Sequence, residues 1–284
     1  MDNFSQILNQ QWQKELFLCV GLDSDFQKIP EEFRKLPVAE GLFQFNRAIV
    51  DATAEYCAAY KPNSAFYEGY GLAGLEALIK TNAFIRENYP NHLIILDAKR
   101  ADIGNTNLGY AKAAFDILQA HSITVHPYLG QEALAPFLED RDHGVFVLCH
   151  TSNPGAGEFQ ELKINNQDLY KIVATRVDQE WNGNQNCGLV VGATYPEHLG
   201  EVRKLAPNLP FLIPGIGAQG GDLERTVING LDRNGTGIIV NASRSIIYAS
   251  SGLDFSTAAA REAKLLNESI RKIARENGFG RKVE

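Results

Sequence analysis

The sequence predicts an α/β fold, a single-domain (β/α)8 TIM barrel over residues 1–284, on three observations. Short apolar runs alternate with amphipathic stretches from end to end. The runs are rich in Val, Ile, Leu and Phe without strict alternation, as expected of strands covered on both faces. Eight such units occupy about 250 residues, the usual size of this barrel. An open, doubly wound sheet is the competing arrangement.

The elements follow in order. Strands are expected at 16–22 (LFLCVGL), 58–62, 93–96, 122–126 (SITVH), 144–149 (GVFVLC), 188–192 (GLVVG), 210–213 (PFLI) and 237–240 (GIIV). Helices are expected at 40–56, 72–88, 105–120, 131–139, 167–181, 196–205, 221–229 and 256–276. Each carries apolar residues at three-and-four spacing, which gathers them on one face. In 40–56, for example, Leu42, Phe45, Ile49 and Ala52 form one stripe. No linker or composition shift marks a domain boundary, and no internal sequence repeat is visible.

Bulk composition narrows the function. The net charge of -7, with no basic run, argues against general nucleic-acid binding, though a local anion site needs only a few residues. No apolar run reaches the ~20 residues of a membrane span. The start, MDNFSQILNQQWQKE, lacks the basic and apolar regions of a signal peptide. Cys19, Cys57, Cys149 and Cys187 form no C-x-x-C pair and read as small buried hydrophobes. A cytoplasmic, soluble protein is expected.

In such a barrel the chemistry collects where strands end. Strand one ends in Gly21-Leu22-Asp23 and strand two at Lys61. Strand three gives Asp97 and Lys99, two apart and so on one face, with Asp102 on the turn beyond. A buried charge must be paired or it costs several kcal/mol. Acid–base–acid alternation meets that need and keeps Lys99 protonated. A structural ion network would read the same way, but with Asp23 and Lys61 five charges are expected at one rim, more than packing requires.

Strand seven runs into PGIGAQGG and strand eight into Asn241-Ala242-Ser243-Arg244. A glycine-rich turn frees amides to approach an anion, and the helix starting near Asp222 is expected to add its dipole. Ser243 and Arg244 are expected to complete a phosphate site. Gly215, Gly217 and Gly220 also spell G-x-G-x-x-G. A dinucleotide fingerprint requires an acid about 20 residues on, and Asp232 lies only 12 past Gly220. His126 and His150 have no second ligand at H-x-x-x-H or H-E-x-x-H spacing, so no metal site is expected and they read as core or rim histidines. Ser152 lacks a G-x-S-x-G context and reads as a hydrogen-bonding residue.

LDAKRADIGNT resembles the D-x-K-x-x-D signature of the orotidine 5′-phosphate decarboxylases, in particular their longer bacterial subgroup. GLD, YKPN, TSNPGA, PGIGAQGG and NASRSI fall in that family's order, from Gly21 to Arg244. One departure is Ala101, where the subgroup often has Gly; one methyl there is expected to matter little. The resemblance implies decarboxylation of orotidine 5′-phosphate to UMP in pyrimidine biosynthesis, by a homodimer that uses no metal and no organic cofactor. It implies that Asp97 lies against the substrate carboxylate and that Lys99 protonates C6. Asp102, with Ile103 and Thr106, would reach into the partner's site. Asp23 and Lys61 would hold the ribose, Ser152 the pyrimidine, and Gln219 and Arg244 the phosphate. A metal-dependent sugar-phosphate decarboxylase of the 3-keto-gulonate type shares the motif and is the alternative. A non-catalytic phosphate-ligand sensor is a third reading, opposed by the intact Asp–Lys–Asp set.

Overall fold

The structure is a computed structural model and describes residues 3–216 and 222–279. Among the described residues, eight parallel strands close a barrel: β1 (Leu18–Gly21), β2 (Ala59–Lys61), β3 (Leu93–Arg100), β4 (Ser122–Val125), β5 (Gly144–His150), β6 (Cys187–Val191), β7 (Phe211–Ile213) and β8 (Ile238–Ala242). Closure joins β1 to β8, with Leu18 beside Val240 and Val20 beside Ala242. All eight expected strands are present, and the open sheet is excluded. β3 is the one that departs most from expectation, running four residues beyond Leu96 through an irregular register.

The principal helices are α1 (Phe4–Gln13), α2 (Val38–Thr53), α3 (Gly71–Asn88), α4 (Gly104–Lys112), α5 (Gly130–Leu138), α6 (Leu169–Arg176), α7 (Pro196–Leu205), α8 (Leu223–Gly230) and α9 (Phe255–Glu276). On α2, Leu42, Phe45 and Ile49 are buried as the stripe predicts, with Thr53 buried in the last turn and Ala52 half-buried. Two expected helices are not uniform: α4 and α6 each pass into a π-helical turn, at Ala113–Ile117 and Val177–Trp181. The expected helix start at 167 falls instead in a two-stranded ribbon pairing Lys163–Ile164 with Gln167–Asp168. Asn165 and Asn166 at its tip take positive φ, a conformation Asn tolerates.

The barrel core has two parts. An outer layer packs the helices on the strands. The interior is filled by Cys19, Ala59, Leu93, Ile95, Phe146, Val190, Leu212 and Ile239, closed from below by Phe4, Ile7 and Leu8 of α1. α1 begins with a capping box, Asn3 accepting from the Gln6 amide and Gln6 from the Asn3 amide. Its hydrogen bonds to Asn91 O, Asp142 O and Gln185 O reach chain just ahead of β3, β5 and β6, which places it at the barrel floor. Phe4 meets Phe146 edge-on at 5.6 Å. A side chain at Gly144 would lie 2.4 Å from the Phe4 ring, so the start of β5 has to be glycine.

Candidate active site

Strand alternation carries the apolar interior upward into charge. Leu93 and Ile95 of β3 fill the interior, so Asp97 follows them on the same face at the strand's upper end. Ala59 of β2 does likewise, and Lys61 follows it. The Lys61 ammonium lies 2.8 Å from Asp97 Oδ2 and 3.9 Å from Asp23 Oδ1. The Lys99 ammonium lies 2.6 Å from Asp97 Oδ1. The order Asp23–Lys61–Asp97–Lys99 therefore alternates acid and base. Lys61 is buried, whereas Lys99 has half of its side chain exposed.

Burial by itself would raise the Asp97 carboxyl, but Lys61 and then Lys99 hold it well below the usual carboxylate range. Burial would likewise lower the Lys61 ammonium, yet Asp97 and Asp23 hold it above the usual lysine range. Asp97 thus stays anionic and Lys61 cationic across neutral pH.

Asp97 and Lys99 meet as expected, but not through regular strand geometry. The register shifts between Leu96 and Arg100, and Lys99 has φ 48°. A long side chain in this left-handed region costs about 1–3 kcal/mol and needs support from its surroundings. Thr124 of β4 supplies it. Its hydroxyl accepts from the Lys99 amide at 3.0 Å and donates to Asp97 Oδ1 at 2.9 Å. Sequence reasoning missed Thr124; the signal was a polar residue at every second position of SITVH.

Asp23, Lys61, Asn63 and Asp97 share one cavity with Gly215, Ile216, Asn241, Ser243 and Arg244. Two acceptors in it, Asp23 Oδ1 and Asn241 Oδ1, are buried without a hydrogen-bond partner among the described residues. They suit donors brought by a ligand, such as sugar hydroxyls. Asn241 had been given no role from sequence. Arg244 is exposed and makes no ion pair among the described residues. Ser243 Oγ donates to Gly21 O at 3.1 Å, and a Cβ on Gly21 would lie 2.7 Å from the Ser243 Cβ. Gly21 therefore lets β1 and the end of β8 close together.

Other expectations fare differently. Asp102 does not join the four converging charges: it makes no ion pair among the described residues, and its carboxylate accepts the Ile103 amide at 2.6 Å. Its backbone is clamped by Asn107, which takes the Asp102 amide at 2.9 Å and donates to its carbonyl at 2.7 Å. Ile103 and Thr106 are exposed beside it. Ser152 is half-buried at the end of β5 and is not among the residues lining the cavity. Gly192 makes room for it, since a Cβ there would lie 2.7 Å from the Ser152 amide. Gln219, Gly217 and Gly220 lie outside the described residues. The expected dipole at the start of α8 is already in use: Asp222 caps that helix, its carboxylate accepting the Arg225 amide at 3.0 Å. His126 follows the end of β4 and is half-buried, whereas His150 is drawn into a cluster that sequence spacing did not show.

Comparison with known proteins gives a consistent result. A family model described as "Orotidine 5′-phosphate decarboxylase / HUMPS family" matches residues 17–259. The orotidine 5′-phosphate decarboxylase of Cellvibrio japonicus is 43% identical over 269 residues, covering 94% of this chain and 98% of that protein. That of Thermomicrobium roseum is 48% identical over 267 residues, covering 93% of each. The solved structure of Leishmania donovani OMP decarboxylase superposes with a TM-score of 0.83 at 39% identity, covering 96% of this chain and 99% of that one.

Proposed function

The chain belongs to the orotidine 5′-phosphate decarboxylase / HUMPS family, and from that premise we propose how its residues divide the reaction. It converts orotidine 5′-phosphate to UMP and CO2. The family description couples two names; the full-length relatives reported above carry the first, and none favours the metal-dependent sugar-phosphate alternative.

The observation that carries the assignment is one carboxylate, Asp97, held ionised between two ammonium groups. With substrate bound, Asp97 faces the substrate carboxylate. Two such charges ~4 Å apart repel by roughly 4 kcal/mol at an effective dielectric near 20. The C6–carboxylate bond breaks, CO2 leaves, and the electron pair stays at C6. The Lys99 ammonium stabilises that developing carbanion and then gives it a proton. Lys61 keeps Asp97 charged throughout. No step requires a metal or an organic cofactor.

Asp23 and Lys61 hold the ribose hydroxyls, a reading supported by the Asp23 oxygen that has no hydrogen-bond partner among the described residues. Arg244 and Ser243 bind the phosphate together with Gln219, and Ser152 hydrogen-bonds the pyrimidine. Binding energy gathered at the phosphate, away from C6, can orient the ring. Asp102, Ile103 and Thr106 serve the partner's site in a homodimer. Supporting this are the absence of an in-chain ion pair at Asp102 among the described residues and the exposed Ile103 and Leu108 that follow it in the chain. No helix among the described residues is long and apolar enough to cross a membrane, and four buried, free cysteines support a cytoplasmic location.

The test is turnover in excess EDTA. Orotidine 5′-phosphate added to the chelated protein is followed by the ultraviolet change to UMP. Full turnover is expected, and its loss would overturn the cofactor-free mechanism.

A further inference from the structure

Away from the charged cavity, the described residues contain one compact group of metal-type ligands: His150 at the end of β5, Glu161 in the 151–168 connection, and His198 in the first turn of α7. His150 Nε2 lies 3.1 Å from Glu161 Oε1 and 3.2 Å from His198 Nδ1, and the three ligand atoms fall within 4.8 Å of one another. We propose that these three side chains bind a divalent cation of the zinc class, fastening the 151–168 connection to the start of α7.

Proton bookkeeping at His150 Nε2 favours a cation over a hydrogen-bond network. A ring nitrogen carries either a hydrogen or a lone pair. With a hydrogen, Nε2 must share it between the Glu161 carboxylate and the His198 nitrogen. With a lone pair, Nε2 faces the Glu161 oxygen at 3.1 Å with no hydrogen between them. A cation satisfies all three lone pairs at once. The spacing also fits: tetrahedral ligands at about 2.0–2.1 Å from Zn²⁺ stand about 3.3 Å apart, close to the two short edges here. Glu161 has 41% of its side chain exposed and can swing to close the third edge.

The surroundings hold the imidazoles in place. His150 is fully buried. The Tyr170 and Tyr195 rings lie 4.8 and 5.5 Å from His150, and Tyr195 stacks on His198 at 5.4 Å. Ligands fixed in advance need little reorganisation to accept a metal. Two imidazoles and a carboxylate suit Zn²⁺, Co²⁺ or Ni²⁺ rather than Mg²⁺ or Ca²⁺, which prefer oxygen. With three protein ligands, the fourth position is left to water. The role is structural: the fastened segment begins beside Ser152, whereas Lys61, Asp97 and Lys99 take no part.

The test uses the full-length protein, stripped with EDTA, freed of chelator and titrated calorimetrically with Zn²⁺. One equivalent is expected to bind with a dissociation constant of about 1 μM or tighter. Co²⁺ is expected to give the visible absorption of a four-coordinate site. Glu161→Gln, an exposed change that leaves the fold intact, and His198→Ala should each weaken Zn²⁺ by more than about tenfold. Hydrogen exchange in 153–168 should slow when Zn²⁺ is added. No binding to the unaltered chain, or native affinity retained in both variants, would overturn the site, whatever the turnover assay shows.

Discussion

Thr124 holds Lys99 in a left-handed backbone conformation beside Asp97. The Lys99 amide donates to the Thr124 hydroxyl at 3.0 Å while φ at Lys99 is 48°. The same hydroxyl donates to Asp97, so one oxygen fixes both the backbone of the proposed proton donor and the carboxylate beside it.

Replacing that hydroxyl should therefore disturb the chemistry more than the fold. Thr124→Val keeps the shape and removes both hydrogen bonds. A hydrogen bond to a charged group contributes about 1.5–3 kcal/mol, so kcat should fall about 10- to 100-fold with KM little changed. Thr124→Ser should restore most of it. Steady-state kinetics decide the matter; an unchanged kcat would leave Thr124 a packing residue.

Lys99→Ala should lower kcat by at least about 10⁴-fold, since in the proposed mechanism it removes both the proton donor and the charge facing the carbanion. UMP, which has no carboxylate at C6, should still bind. Equilibrium binding measured beside turnover separates the two effects.

The proposed sharing of sites across a dimer can be tested by complementation. Lys99→Ala chains mixed with Asp102→Ala chains should recover about a quarter of native activity. Half of the dimers are then mixed, and each mixed dimer has one intact site of its two. Activity of the mixture equal to the sum of the separate variants would show that Asp102 serves its own chain.

Arg244→Ala should weaken UMP about 10- to 100-fold, the usual cost of losing a charge-assisted hydrogen bond to phosphate. kcat should fall as well, because energy from the phosphate end orients the ring. UMP affinity in a fluorescence titration equal to that of the native chain would exclude Arg244 from the clamp.

Acid stability should respond to His121. Burial, with smaller contributions from Arg86 and His143, pushes its imidazole down to about 3, and its Nδ1 accepts the Ile94 amide at 2.9 Å. The folded value lies below the unfolded value of about 6.5. The contribution is therefore complete above pH 6.5 and is lost as pH falls from there toward about 3. The slope is about 1.4 kcal/mol per pH unit for this one group. His121→Asn offers an oxygen near the Nδ1 position without titrating. Denaturant melts at pH 7 and pH 4.5 should show a smaller drop for the variant, and equal drops would contradict this reading.

Much of this was legible in the chain. Strand runs such as GVFVLC and GLVVG have one dominant cause, burial on both faces, and the sequence expresses it directly. Asp97 and Lys61 were legible because the alternation that fills the interior also aims the next residue into the cavity. What depended on several strands at once was hidden. The bulge at Lys99 arises where β3 meets β4, so no periodicity within LDAKR reveals it. His150 and His198 lie 48 residues apart, and only the neighbouring positions of β5 and α7 bring them together. Asp102 was read as part of one charge cluster because spacing along a turn does not fix direction. α1 is harder to read for another reason: its apolar residues at 4, 7 and 8 have helical spacing, but the surface they cover exists only where seven strands converge.

The helix under the barrel also constrains the order of assembly. α1 precedes every strand in the chain, yet the surface it docks on is shared by seven of them, from Cys19 to Ile239. That surface is complete only once the two ends of the sheet have met across more than two hundred residues. A segment made before any of these strands is thus the last that can find its place. Folding with such distant pairings is slow, and until the barrel closes Phe4, Ile7 and Leu8 remain in water, where a nascent chain is most open to self-association.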